Sequence, residues 1–255
     1  MLSTDKAWEK WGKADPYYGV LSADVYRKEN LNAESKKAFF ESGEEYIEFI
    51  INNINKHIAP DFAPTKCLDF GCGVGRLVIP LAKRYKDVAG IDVSDSMLEL
   101  ARRNCQDNGI SNADFYKSDD DLSAINCKFD LITSCLVFQH IPAKRGKHIL
   151  EKLLQSLNDR GVAVLQIIFY RNAPLLNKFS CWLQKKIPLL AYVINIFRKR
   201  KFFQPPVQMN CYNLTEIIKL LADNGIGSFF ALPGIDKEYY NVILFCRKNN
   251  SIHNQ

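Results

Sequence analysis

Acidic residues are missing from positions 171–203, a stretch that holds eight Lys or Arg. Removing this +8 from the formal net charge of +6 leaves −2, so the basic balance of the chain arises in one segment. A positive charge confined in this way, with no RNA-binding module and no aromatic-basic interleaving across a sheet, does not favour a nucleic-acid partner. Among eight cysteines, at 67, 72, 105, 127, 135, 181, 211 and 246, there is no C-x-x-C pair. Most fall in apolar runs, where cysteine behaves as a small hydrophobe, so they are read as reduced and mostly buried and no metal site is expected. Met1-Leu2-Ser3-Thr4-Asp5-Lys6 has neither a basic start nor an apolar core, and a cytoplasmic location is the expectation. The apolar run 187–197 has eleven residues, short of the roughly twenty that cross a bilayer. Internal repeats and low-complexity tracts are absent, and only 248–255 reads as a frayed tail.

What is present suits one enzyme-sized unit. With 255 residues and 47% apolar content the chain can bury a full core without staples. Apolar periodicity alternates between strand and helix: strands at 66–70 and 88–91 flank a helix over 76–85, and a helix from Asp95 to near Gly109 precedes strands at 113–116 and 129–134. Leu150, Leu153, Leu154 and Leu157 mark an amphipathic helix that Gly161 is expected to stop before a fifth strand at 162–169. A helix at 214–223 and strands at 228–232 and 241–246, separated by Pro233-Gly234 and a polar loop, follow. The alternation predicts an α/β, doubly wound parallel sheet.

The most informative residues are Cys67-Leu68-Asp69-Phe70-Gly71-Cys72-Gly73-Val74-Gly75. Glycine at alternate positions lets a strand-to-helix loop take positive φ and admit a ligand close to its backbone. Val88-Ala89-Gly90-Ile91-Asp92 is a second short strand ending in an acid, which can accept both hydroxyls of a ribose. A dinucleotide site would want G-x-G-x-x-G; here Gly75 comes one position early and Leu77 stands where a small residue belongs. Strand-Asp-x-Gly-x-Gly-x-Gly followed by strand-Asp resembles the class I S-adenosylmethionine-dependent methyltransferases, of the small-molecule type, over roughly residues 61–248. The resemblance implies a Rossmann-like seven-stranded sheet of order 3-2-1-4-5-7-6 with the last strand antiparallel, and S-adenosylmethionine as cofactor. It divides the chain into an N-terminal helical lid (1–60), a core (61–170 and 207–248) and an insertion (171–206).

By that resemblance Gly71, Cys72, Gly73 and Gly75 wrap the cofactor, and Asp69 orders the loop or receives the methionine ammonium. Asp92 binds the ribose, with Val93 beside it, and Met97 packs on the adenine. Asp119 is the expected partner of the adenine amino group, the neighbouring Asp120 and Asp121 being solvated or capping. Cys135 is expected to face the cofactor at the end of the fourth strand. Phe138, Tyr17 and Tyr18 are expected on the acceptor. Ser134-Cys135-Leu136-Val137-Phe138-Gln139-His140-Ile141-Pro142 resembles the post-strand-4 region of small-molecule methyltransferases and lacks the Asn/Asp-Pro-Pro-Tyr signature of amino-group methylation. His140 is therefore the candidate base for an acceptor hydroxyl, or else a cap or a carbonyl partner.

Two regions depart from the pattern. The aromatic N-terminal segment, with Trp8, Trp11, Asp15-Pro16-Tyr17-Tyr18 and Phe39-Phe40, is expected to form two or three helices that either close over the site or dock onto the core. The basic apolar insertion either caps an acceptor or lies peripherally at a membrane surface. The expected activity is methyl transfer to a small-molecule or lipid- or glycan-type acceptor at oxygen; the alternatives are a cofactor-binding scaffold without transferase activity and an RNA methyltransferase. Membrane contact through 171–203 predicts salt-sensitive flotation with anionic liposomes that is lost when Arg198, Lys199, Arg200 and Lys201 are neutralised; flotation that survives neutralisation rules the contact out.

Overall fold

The computed structural model describes residues 4–172 and 208–250. The proposed insertion, 171–206, therefore lies almost wholly outside the described residues.

Seven strands form one sheet of order β3-β2-β1-β4-β5-β7-β6. These are β1 (Lys66–Phe70), β2 (Asp87–Asp92), β3 (Ala113–Lys117), β4 (Phe129–Ser134), β5 (Leu157–Arg171), β6 (Ile226–Asp236) and β7 (Tyr239–Lys248). β7 runs antiparallel to both β5 and β6, while the pairs from β3 to β5 are parallel. The expected topology and its antiparallel last strand are therefore observed. Central β1 and β4 are covered on both faces and read as nearly continuous buried runs. At the edge, only Phe115 of β3 is buried.

Helices α4 (Val78–Arg84), α5 (Asp95–Asp107), α6 (Ala143–Gln155) and α7 (Leu214–Asp223) cover the sheet, and α1 (Thr4–Ala14), α2 (Pro16–Val20) and α3 (Ala33–His57) precede it. Their ends follow from local chemistry. Ser94 caps α5 by accepting from the Met97 amide at 3.2 Å, and Asn213 caps α7 through the Thr215 and Glu216 amides. Asn32 and Ser35 form a reciprocal capping box on α3, and Pro16 opens α2, where its missing N–H has no role.

Three boundaries differ from the sequence reading. The helix expected from Arg76 begins at Val78, because 71–77 remains in turns after three glycines with positive φ. Arg76 itself is buried and donates to the Ser42 carbonyl at 3.2 Å. Gly161 does not stop α6; that helix ends at Gln155, and Gly161 lies within β5, whose pairing starts at Leu157 opposite Phe129. Pro233-Gly234 is not the connecting loop but part of β6, with the reversal at Lys237, φ +54°. Pro233 is tolerated because β6 is an edge strand, where an amide donor can be dispensed with.

One apolar cluster lies on the α6 and α7 side of the sheet and another under α3, α4 and α5. A third joins Trp11, Tyr17 and Phe39 to Val74 and Met97, fastening the N-terminal helices to the glycine loop and α5. Within it the Tyr17 hydroxyl donates to Asn104 Oδ1 at 2.9 Å, and Asn104 Nδ2 donates to the Val74 carbonyl at 2.9 Å. Tyr17→Phe leaves that buried amide oxygen without its donor, so urea unfolding should show a loss of about 1–3 kcal/mol.

Candidate active site

An open cleft lies beyond the carboxyl ends of β1, β2 and β4, where open sheets of this type bind ligands. Its floor is the glycine loop. Gly71 and Gly73 have φ of +74° and +52°, and a Cβ would lie 2.4 Å from a Val137 methyl at Gly71 and 2.6 Å from a Val20 methyl at Gly73. Both positions thus need glycine for conformation and for space. Gly75, also at positive φ, sits behind the loop against Ala101.

Asp92 ties the loop to the second strand. Its Oδ2 accepts from the Gly73 amide at 3.0 Å and its Oδ1 from the Ser94 amide at 2.9 Å. Removal from water raises its pKa to about 6, against the opposing effect of the Ser94, Gly73 and Val93 amides. Asp69 lies deeper. It accepts from Thr133 Oγ1 at 2.8 Å, burial raises it to about 7, and it is not on the cleft wall. Its place is beneath the loop.

The three acids after β3 have separate tasks. Asp119 lines the cleft, and its Oδ1 accepts from the Asp121 and Ser123 amides, which hold its pKa below the usual carboxylate range. Asp120 binds Arg145, and Asp121 binds His148. Val93, Met97 and Cys135 also line the cleft. Cys72 does not: its thiol is buried behind the loop, where desolvation pushes its pKa well up.

His140 lies in a short turn, Phe138–His140, after β4, and lines the cleft beside Trp8, whose ring centroid is 4.9 Å away. Its Nδ1 is 2.9 Å from the Gln208 carbonyl. A carbonyl only accepts, so Nδ1 carries the proton and Nε2 keeps its lone pair. Burial lowers the pKa to about 4, the Gln208 carbonyl acting in the opposite sense, and the ring is neutral at physiological pH.

The expected acceptor contacts change. Phe138 is fully buried between Phe70 and Tyr212, because the turn directs it into the core. Tyr17 is held inside by Asn104, and Tyr18 lies against Arg27 at 3.7 Å; neither lines the cleft. Leu136, Val137, Ile141 and Ile149 form the apolar wall instead. Leu136 does so at φ +61°, with its amide held by Gln166 Oε1 at 3.1 Å.

The roof comes from α1 and α2 through Asp5, Trp8, Gly19 and Val20, so these helices both dock and cover the cleft. Two polar anchors hold them. Glu9 accepts from Ser94 Oγ at 2.8 Å, Ser96 Oγ at 2.7 Å and the Ser96 amide at 3.2 Å. Burial would raise its pKa, but these donors outweigh it and bring the carboxyl to about 2. Arg145 donates to both oxygens of Asp5, at 2.7 and 3.0 Å, and to Asp120 at 2.7 Å, bridging α1, α6 and the loop after β3. Sequence reading missed Arg145 because Asp5 is 140 positions away. For Trp8, the i, i+4 spacing from Thr4, which also lines the cleft, was a legible signal.

Residues 67–161 match the family described as a methyltransferase domain. A carboxy-S-adenosyl-L-methionine synthase of Campylobacter lari is 29% identical over 133 residues, 51% of this chain and 55% of that protein. A ubiquinone biosynthesis O-methyltransferase of Rickettsia canadensis is 25% identical over 185 residues, 71% of this chain and 70% of that protein. The chain thus spans little more than half the length of the first of these relatives. The magnesium protoporphyrin IX methyltransferase of Synechocystis PCC 6803 with bound SAM has the same fold, with a TM-score of 0.60 at 19% identity over 98% of this chain and 99% of that one.

The cleft fits S-adenosylmethionine on its own geometry: two glycines where a Cβ would clash and an acid beside them at the end of β2, all three lining the same open cleft. Asp92 must be ionised to accept from two hydroxyls. Its carboxylate fraction falls as pH drops through about 6, so titration calorimetry should show affinity for S-adenosylmethionine falling roughly tenfold between about pH 7 and about pH 5. In Asp92→Asn affinity should be low throughout and this pH dependence absent.

Proposed function

We propose that this chain, which matches a methyltransferase domain over residues 67–161 on a sheet of order β3-β2-β1-β4-β5-β7-β6, is a class I S-adenosylmethionine-dependent methyltransferase, and on that premise that it methylates a hydroxyl oxygen of a small, largely apolar acceptor. One observation carries the choice of oxygen: a neutral imidazole on the cleft wall, protonated at Nδ1 by its bond to the Gln208 carbonyl, with Nε2 left as a base. The apolar wall of Leu136, Val137, Ile141 and Ile149, with the Trp8 ring beside His140, supports an acceptor with a planar or hydrocarbon body. The similarity to a ubiquinone biosynthesis O-methyltransferase points the same way.

Bound in the cleft, S-adenosylmethionine supplies a methyl group that the acceptor oxygen attacks as the carbon–sulfur bond breaks, its electron pair passing to sulfur. Asp92 and the glycine loop hold the nucleoside end, and the roof of α1 and α2 keeps water out. His140 Nε2 takes the hydroxyl proton. A base with a pKa of about 4 suffices because the proton becomes strongly acidic as the oxygen acquires its third bond.

Titration calorimetry with S-adenosylmethionine, S-adenosylhomocysteine and a nicotinamide dinucleotide tests the premise. Binding of the first two in the micromolar range, on the order of −8 kcal/mol, with none of the third, is expected. Binding of the dinucleotide alone would overturn it, and no binding would favour a scaffold. With an acceptor in hand, His140→Ala should lower turnover by roughly two to four orders of magnitude while sparing cofactor affinity.

A further inference from the structure

We infer that residues 208–212 form a clamp on the turn that carries His140, with Tyr212 as a positioning residue that holds the imidazole in its Nδ1-protonated tautomer. The inference rests on the reading of His140 as the base.

The clamp is built from residues far from the turn in sequence. Gln208 supplies the carbonyl that meets His140 Nδ1 at 2.9 Å, 68 positions away. Asn210 donates to the Gln139 carbonyl twice, from its amide at 2.7 Å and from Nδ2 at 3.1 Å. The Tyr212 hydroxyl reaches the carbonyls of Phe138 at 3.0 Å and Ile141 at 2.9 Å, the two residues that bracket Gln139 and His140. Its own amide donates to the Ile168 carbonyl at 2.8 Å, which references the clamp to β5.

Tyr212 is 1% exposed, and its ring meets Phe138 edge-on at 6.0 Å. Its hydroxyl occupies a slot that α6 leaves open: a Cβ on Gly146 would lie 1.9 Å from that oxygen. Alanine in place of glycine would otherwise favour the helix. Phenylalanine would fill the ring's space equally well. What the phenol adds is a donor directed only at the His140 turn. Neutral imidazole has two tautomers of similar energy, and the fixed distance to the Gln208 carbonyl selects between them. A turn free to move relative to residue 208 loses that selection.

The test is nitrogen-15 NMR of histidine-labelled protein, with His140→Gln to assign the resonances and S-adenosylhomocysteine titration as a control. Wild type should show a single Nδ1–H tautomer at His140. Tyr212→Phe, which keeps ring and shape, and Gly146→Ala, which keeps the tyrosine but displaces its hydroxyl, should each show loss of the single tautomer with S-adenosylhomocysteine affinity held within about twofold. A wild-type tautomer in both variants would overturn the clamp, as would affinity and tautomer collapsing together, the signature of a general structural role. The tautomer is read without cofactor or acceptor, so failure of the clamp stays distinguishable from wild-type protein that binds no S-adenosylhomocysteine, which would remove the methyltransferase reading.

Discussion

A carboxylate bonded to a backbone amide organises this molecule's site. Asp92 ends β2, Gly73 belongs to the loop after β1, and the 3.0 Å bond between them fixes the loop against the neighbouring strand. The other carboxylate oxygen takes the Ser94 amide at the start of α5, so one side chain sets strand, loop and helix relative to each other. Desolvation works against that charge, and the amides keep it useful near neutrality. Neighbouring features add to this arrangement. Glu9 engages the Ser94 and Ser96 donors from the roof, placing a second anion at the same helix terminus, where the dipole favours it.

Charge around the cleft is almost wholly paired, and the pairing is what distributes roles among similar residues. Asp119, Asp120 and Asp121 are adjacent in sequence, yet one caps its own turn at the cleft, one holds Arg145 and one meets His148. Arg145 carries Asp5 as well, so the roof is fastened at one side by an arginine fork and at the other by serine donors to Glu9. Between these fastenings Trp8 reaches His140. The wall of Leu136, Val137, Ile141 and Ile149 is left apolar, and the side formed by Asp92, Ser118 and Asp119 is polar.

Short-range pattern made much of the fold legible. Strands β1 and β4 and helix α7 fall where periodicity placed them, and the glycine loop with Asp92 was readable because its function needs small residues and an acid at fixed spacing. The errors have physical causes. Gly161 and Pro233-Gly234 read as breakers, but Gly161 sits in an irregularity of β5 between the pairs Phe129–Leu157 and Leu131–Val162, while pairing of β6 to β7 outweighed local propensity at an edge strand that could accept the proline. Phe138, Tyr17 and Tyr18 read as acceptor contacts because aromatics near a site are ambiguous between wall and core. Of the eight cysteines, Cys127 and Cys211 proved exposed, and Cys181 lies outside the described residues.

By itself, the sequence determined the sheet, its order through family resemblance, the loop and the acid that meet at the cleft, and the candidate base. These depend on residue types at short spacing, which a linear reading contains. Tertiary structure alone decided which carboxylates stay buried and titrate near neutrality, which aromatics line the cleft, and which nitrogen of His140 is free. Each of those depends on a partner brought from afar: Gln208 to His140, Asp5 to Arg145, Asn104 to Tyr17. Desolvation and hydrogen-bond geometry exist only once the chain has closed around such pairs.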